Sequence, residues 1–245
     1  MDPFKNIIPD DARMREAQAH AQAQDTEERR RFEKLADDIN KARSDDNWIT
    51  KELTKQGVPP RYRGAKFGTW NKELAGSAAG WVEGESMVVL GPTGCGKTYF
   101  AAACMGEYLR RAVTKAKKMS VNGFGVWNLV GPQDQLFITA PALLMTLRGT
   151  FRQQSGPTLE DMIGKYSESA GPLIIDDLGA EKTTDWTLEA LYLIIDNRYS
   201  WMRQTMVTSN LSMEQIANRL GDRIASRLVG MAKPLVMTGK DRRLG

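Results

Sequence analysis

Met87-Val88-Val89-Leu90-Gly91-Pro92-Thr93-Gly94-Cys95-Gly96-Lys97-Thr98 is the stretch whose reading decides the fold. Its first four residues are an uninterrupted apolar run, short and β-branched, as expected of a buried strand. Gly91–Thr98 then fits G-x-x-x-x-G-K-[ST] throughout, a pattern that a chain of this composition meets by chance roughly once in a hundred. A helix is predicted from the loop to about Lys117, completing the strand–loop–helix setting that the pattern needs.

The physical reading is direct. Glycines let the backbone curl until successive N–H groups point inward and cradle phosphate oxygens. The helix start adds its positive dipole end. The expected cradle for ATP is Gly91, Pro92, Thr93, Gly94, Cys95, Gly96, Lys97 and Thr98, with Tyr99 beside it. Lys97 is expected to reach the β- and γ-phosphates, and the Thr98 hydroxyl to ligate Mg²⁺. Cys95 reads as a small residue whose backbone is what the loop uses.

Outward from the loop, Leu173-Ile174-Ile175-Asp176-Asp177 is an apolar run ending in two carboxylates. A buried strand that stops on acids places them at the carboxyl edge of a sheet, where α/β proteins bind ligands. Asp176 is expected to hold Mg²⁺, directly or through water, and Asp177 to polarise or orient the attacking water. Met206-Val207-Thr208-Ser209-Asn210 is another short strand with a polar end. Asn210 has two readings: a hydrogen bond to the attacking water or γ-phosphate, or a cap for the helix that follows. Arg219, Arg223 and Arg227 recur every four residues and are expected to line one helical face. They read either as a solvated surface or as carriers of an arginine finger for a neighbouring subunit.

The remaining elements follow the same rhythm. Strands are predicted at Leu136–Thr139, Thr205–Ser209 and Pro234–Thr238. Helices are predicted at Ala142–Phe151, Leu159–Ser167, Leu188–Trp201, Met213–Leu220 and Arg223–Val229. Such alternation predicts an α/β fold, a mostly parallel sheet with helices on both faces.

Gly57-Val58-Pro59-Pro60 marks a change of texture and predicts two units, 1–57 and 58–245. Residues 1–57 carry 11 Lys/Arg and 13 Asp/Glu, whereas 58–245 carry 23 and 17, so the basic excess lies on the larger unit. Residues 11–44 are rich in Ala, Gln, Glu and Arg, which favours helix, but their apolar positions are too sparse for a separate core. A helical arm that docks on a partner is expected. Cys95 and Cys104 are too far apart along one helix for a disulfide, and with His20 as the single histidine a Cys/His zinc site is excluded. No run approaches the roughly 18 apolar residues of a membrane span, so a soluble protein of a reducing compartment is expected.

Taken together, these motifs resemble the DnaC/DnaI helicase loaders and the related IstB transposition ATPases, within the AAA+ class of P-loop NTPases. The resemblance rests on Gly57-Val58-Pro59-Pro60-Arg61-Tyr62 with Phe67, the phosphate loop, Leu173–Gly179, Leu191–Tyr199, Thr208-Ser209-Asn210-Leu211 and Gly221–Leu228. It implies Asn210 as sensor 1, Arg227 as the arginine finger with Arg223 in support, and Val58–Phe67 as the segment passing the adenine. It implies Arg243 as sensor 2 and no C-terminal helical lid. The helices Ala142–Phe151 and Leu159–Ser167 occupy the place of the insertion that contacts single-stranded DNA in replication initiators. Arg148, Arg152, Lys165 and Tyr166 there are candidate backbone and stacking contacts. Met119–Gln135 is longer than the usual connection and suggests an added hairpin.

The function implied is an Mg-dependent ATPase that binds a hexameric replicative helicase and places it on single-stranded DNA. Copies would self-associate into a ring or spiral and complete hydrolysis between neighbours. The alternative is an IstB-like helper that binds duplex DNA and recruits a transposase. The setting implied is the cytoplasm of a bacterial or phage-infected cell.

Overall fold

The computed structural model describes residues 46–67, 72–119, 136–152, 155–232 and 234–239. The arm up to residue 45, the 120–135 part of the long connection, Arg243 and the side chain of Arg152 lie outside the described residues. In chain order the elements are α1 (Asp46–Lys55), α2 (Lys72–Glu83), β1 (Met87–Leu90), α3 (Lys97–Met119), β2 (Leu136–Thr139) and α4 (Ala140–Gly149). They continue with α5 (Leu159–Glu168), β3 (Leu173–Leu178), α6 (Asp185–Ser200), β4 (Thr205–Ser209), α7 (Met213–Leu220), α8 (Asp222–Met231) and β5 (Pro234–Val236). Short 3₁₀ turns follow at Pro60–Tyr62 and Thr150–Arg152.

All five strands are parallel, in the order β2-β3-β4-β1-β5. A parallel sheet covered on both faces needs strands apolar on both sides, which is why β1 and β3 read as continuous apolar runs. Strand alternation deals their side chains to two cores. Val89, Ile174 and Met206 join Trp81, Phe100 and Met105 on one face, under α1, α2 and α3. Val88, Ile175 and Val207 join Leu143, Ile194, Ile216 and Leu228 on the other, under the later helices.

The predicted elements stand within a few residues of those observed. Helix α4 begins two residues early because Thr139 caps it, accepting a hydrogen bond from the Ala142 N–H at 3.3 Å, with Pro141 in the first turn. Helix α2 is not expected from the sequence. Gly76 and Gly80 weaken its propensity, but fully buried Trp81, worth about 2–3 kcal/mol of burial, anchors it.

Helix α1 falls within the stretch 1–57. Its Ile49 and Leu53 are buried in the same core as α3, and Asp46 accepts from Lys66 Nζ and from Arg110 of α3. The chain leaving α1 covers the outer edge of β2: the Phe137 N–H donates to Gln56 O at 2.8 Å. Gly57 follows with φ 88°, where a Cβ would come 2.5 Å from Phe137 O. Only glycine fits that approach, and it directs Val58–Phe67 toward the start of α3.

Candidate nucleotide site

The strand order builds the site. The phosphate loop leaves β1, the acids end β3, and Asn210 follows β4, which lies between those two strands. Asn210 therefore falls between the lysine and the acids. The loop adopts a curl that glycine permits, with φ 82° at Gly94 and 105° at Gly96. At Gly91 a Cβ would lie 2.2 Å from Met237 O. The rim is pinned on both sides: Gly91 N–H donates to Ser209 O at 3.2 Å and Met237 N–H to Leu90 O at 2.7 Å.

Lys97, 6% exposed, begins α3. Its ammonium donates to Gly91 O (2.8 Å), Pro92 O (2.9 Å) and Asn210 Oδ1 (2.6 Å). The amide of Asn210 then donates through Nδ2 to Asp177 Oδ1 at 2.7 Å. One side chain thus ties the phosphate-loop lysine to the second acid. The capping alternative for Asn210 is excluded, because Ser212 caps α7 in a reciprocal box with Gln215.

Asp176, 4% exposed, forms the second branch. The Thr98 hydroxyl lies 3.1 and 3.0 Å from its two carboxylate oxygens, and Thr208 Oγ1 donates to Oδ1 at 2.6 Å. Burial pushes the Asp176 carboxyl above the ordinary carboxylate range, against the lowering effect of the Thr208 and Thr98 hydrogen bonds. A hydroxyl and a carboxylate side by side are hard oxygen donors of the kind Mg²⁺ takes in one or two protein ligands beside phosphates. Thr98 and Asp176 fit that ion, and the glycine cradle with Lys97 fits phosphates.

Thr208 completes the frame, because its hydroxyl also accepts from the Asp177 N–H at 2.9 Å. Asp177 stands at φ 58°, an uncommon left-handed conformation for a residue other than glycine. The β3–β4 register shifts between Ile175 and Leu178, and the resulting kink turns Asp177 from the sheet toward Asn210. Sequence reasoning names Thr208 only as part of a family motif. Its signal is a hydroxyl near the end of a buried strand, beside an acid-terminated one.

Beside the loop, the Tyr99 hydroxyl accepts from the Lys66 N–H at 3.3 Å, and Phe67 packs edge-on against Phe100 with ring centres 5.9 Å apart. These contacts hold Val58–Phe67 against α3. Cys95 is buried in the loop and Cys104 in α3, both as free thiols, and burial pushes the Cys104 thiol well up.

No family model matches the chain. It is 24% identical over 191 residues to the replicative helicase loader DnaC of Escherichia coli, covering 74% of this chain and 69% of that protein. The crystal structure of the DnaC helicase loader superposes with a TM-score of 0.56 at 21% identity, over 74% of this chain and 100% of the other. This chain resembles the DnaC-type helicase loaders. The crystal structure of DnaI gives a TM-score of 0.55 at 22% identity, over 75% and 96%. The fold is that of a P-loop NTPase of the AAA+ type, a parallel sheet with helices on both faces.

Of the residues that the loader resemblance singles out beyond the phosphate loop, Asn210 joins the Lys97 cluster, whereas the arginines are dispersed. Arg227 lies on α8 outside the Lys97 cluster. Its Nε donates to Asp196 Oδ1 at 2.5 Å and its guanidinium stands 5.1 Å from the Tyr199 ring centre. Asp196 holds the guanidinium above its ordinary pKa. The three arginines do not share one continuous helical face as expected. Gly221, at φ 93°, separates α7 from α8. Arg219 on the first and Arg223 on the second are both exposed, and Arg219 donates to Glu181 O at 2.9 Å.

Of the expected DNA contacts, Arg148 lies 4.9 Å above the Trp186 ring, and Phe151, 64% exposed, meets the same ring edge-on. Lys165 stands 5.8 Å from the Tyr166 ring. Tyr166 itself is 5% exposed and packs in the core under α4, α5 and α6. The expectation that it stacks on a base is corrected: the amphipathic turn of α5 faces that residue inward.

Proposed function

We propose that this chain is an ATP-hydrolysing loader that binds a hexameric replicative helicase and places it on single-stranded DNA. The observation that carries the reading is the pair of linked branches at the sheet edge, Lys97–Asn210–Asp177 and Thr98–Asp176–Thr208. The similarity to DnaC supplies the partner class. It supports the loader over the transposition helper.

In this reading the N–H groups of Gly91–Thr98 bind the phosphates, and Lys97 exchanges its carbonyl partners for phosphate oxygens. Thr98 and Asp176 would hold Mg²⁺, and the ion would supply charge neutralisation for the bound phosphates. Asp177 orients the attacking water while Asn210 fixes its carboxylate. Tyr99 and Val58–Phe67 line the adenine. Arg227 serves a neighbouring copy's γ-phosphate, leaving Asp196 to do so, in a ring or spiral on the helicase. Arg148, with Phe151 and Trp186, offers a cation and an exposed ring of the kind single strands stack on. The part of 1–57 that precedes α1 grips the helicase, and α1 with 58–245 forms the ATPase.

The test is reconstitution. The full chain is mixed with the host's replicative helicase, circular single-stranded DNA and Mg-ATP. Helicase retained on the circle only when loader and ATP are both present is the expected result. Retention of a transposase on duplex DNA, with none of the helicase, would replace this reading by the alternative.

A further inference from the structure

Glu181 is a buried acid, 4% exposed, that the mechanism above does not use. Its Oε2 accepts from the Gly179 N–H at 2.9 Å, whereas Oε1 is buried without a hydrogen-bond partner among the described residues. Its own carbonyl accepts from Arg219. Keeping an acid in such a place costs stability, so its position asks for a reason.

The segment it holds explains the expense. Residues 177–179 carry the second acid through a turn with φ 58° at Asp177 and 92° at Gly179. The turn closes through Ala180 N–H donating to Asp177 O at 3.2 Å. On its far side, Ser209 Oγ donates to Leu178 O at 2.5 Å, and a Cβ on Gly179 would come 2.5 Å from Leu211 Cδ1. Glu181 grips the turn on one side and the residues flanking Asn210 grip it on the other. A left-handed aspartate is strained and persists only where the surroundings over-determine it.

We infer that Glu181 is a positioning residue for ATP hydrolysis: its carboxylate, by accepting from Gly179 N–H, holds Asp177 in the left-handed turn that presents it to Asn210. The inference rests on the ATPase reading above. The chemistry required of Glu181 is an acceptor at a set reach, not a charge. Arg219 steadies the same residue from α7.

Two variants separate reach from charge. Glu181→Gln keeps the acceptor and loses the charge. Glu181→Asp keeps the charge and is one methylene too short for Gly179. Steady-state ATP hydrolysis by the full chain is compared with binding of a fluorescent ATP analogue and with thermal melting. The expected result is a kcat about tenfold lower in Glu181→Asp, with analogue affinity within twofold of the parent, and a kcat within threefold in Glu181→Gln. Equal activity in both variants overturns the inference, as does a loss in Gln that Asp does not show, or a fall in affinity matching that in kcat. A parent chain that binds the analogue but hydrolyses no ATP, alone or with single-stranded DNA, removes the ATPase reading itself. A parent that hydrolyses normally beside unaffected variants removes only the role of Glu181.

Discussion

Lys97 and Arg198 are the two buried cations among the described residues, 6% and 0% exposed, and they lie at opposite ends of the same sheet. Lys97, where β1 ends, is held by two carbonyls of its own loop and by one movable amide, Asn210. A phosphate can replace each of those partners without unfolding anything. Arg198 lies where β3 and β4 begin. Its guanidinium donates to Thr205 Oγ1 and to the carbonyls of Tyr166, Ser169, Gly171 and Gln204. Those acceptors belong to the end of α5, the entry to β3 and the entry to β4, so none can be exchanged while the fold persists. Burial, with Arg203 nearby, pushes its pKa down to about 10. It still carries its charge at neutral pH, with carbonyl dipoles in place of a carboxylate. One end of the sheet keeps its polar groups replaceable, and the other commits them to architecture.

The contrast is sharpest in stability. Arg198→Met should destabilise the chain by about 4 kcal/mol or more, because several buried carbonyls lose their donor at about 1–3 kcal/mol each. Urea unfolding measures it, and a midpoint equal to the parent's would break the distinction. Lys97→Ala should do the reverse. Nucleotide affinity should fall about 100-fold, some 2.7 kcal/mol, while the unfolding free energy changes by less than about 1 kcal/mol. Normal affinity in a titration with a fluorescent ATP analogue would remove the nucleotide site from this end of the sheet.

The smallest effect concerns Asp176. Its carboxyl is raised by burial, so the folded chain holds that proton more tightly than the unfolded one. The sign follows from linkage: the stabilisation is present below the ordinary carboxylate pKa and is lost as pH rises through the raised value. Above that value, without nucleotide, the ionised group is a net cost. Asp176→Asn should therefore raise the melting temperature by about 2–4 °C at pH 8, with the gain shrinking toward pH 4, while Mg-dependent hydrolysis is lost. A gain independent of pH would show that titration of Asp176 is not its source.

Most of the sheet was legible because its strands are short apolar runs with polar or glycine ends, and each run could be placed by its own residues. Helix α2 was not, since its two glycines argue against helix and only Trp81, reaching a core made by distant strands, overrides them. Within the site, Lys97, Thr98, Asp176 and Asp177 announce themselves through local pattern. Asn210 admits two readings in sequence, because its neighbours suit a cap equally well. Ser212 settles the matter by taking the cap itself. Tyr166 beside Lys165 looks like a surface pair by composition, and packing turned it inward.

Local chemistry in the sequence determined the phosphate loop, the acid-terminated strand and the parallel α/β layout. Glycine curvature, strand burial and helix starts are properties of neighbouring residues. Tertiary structure alone decided that β4 enters between β1 and β3, and so that Asn210 bridges Lys97 to Asp177 across 113 and 33 residues of chain. It alone decided that Arg198, unremarkable among the charges of Asp196-Asn197-Arg198, clamps the opposite end. Burial and hydrogen-bond partners at such separations are set by strand order, and no local window of sequence contains it.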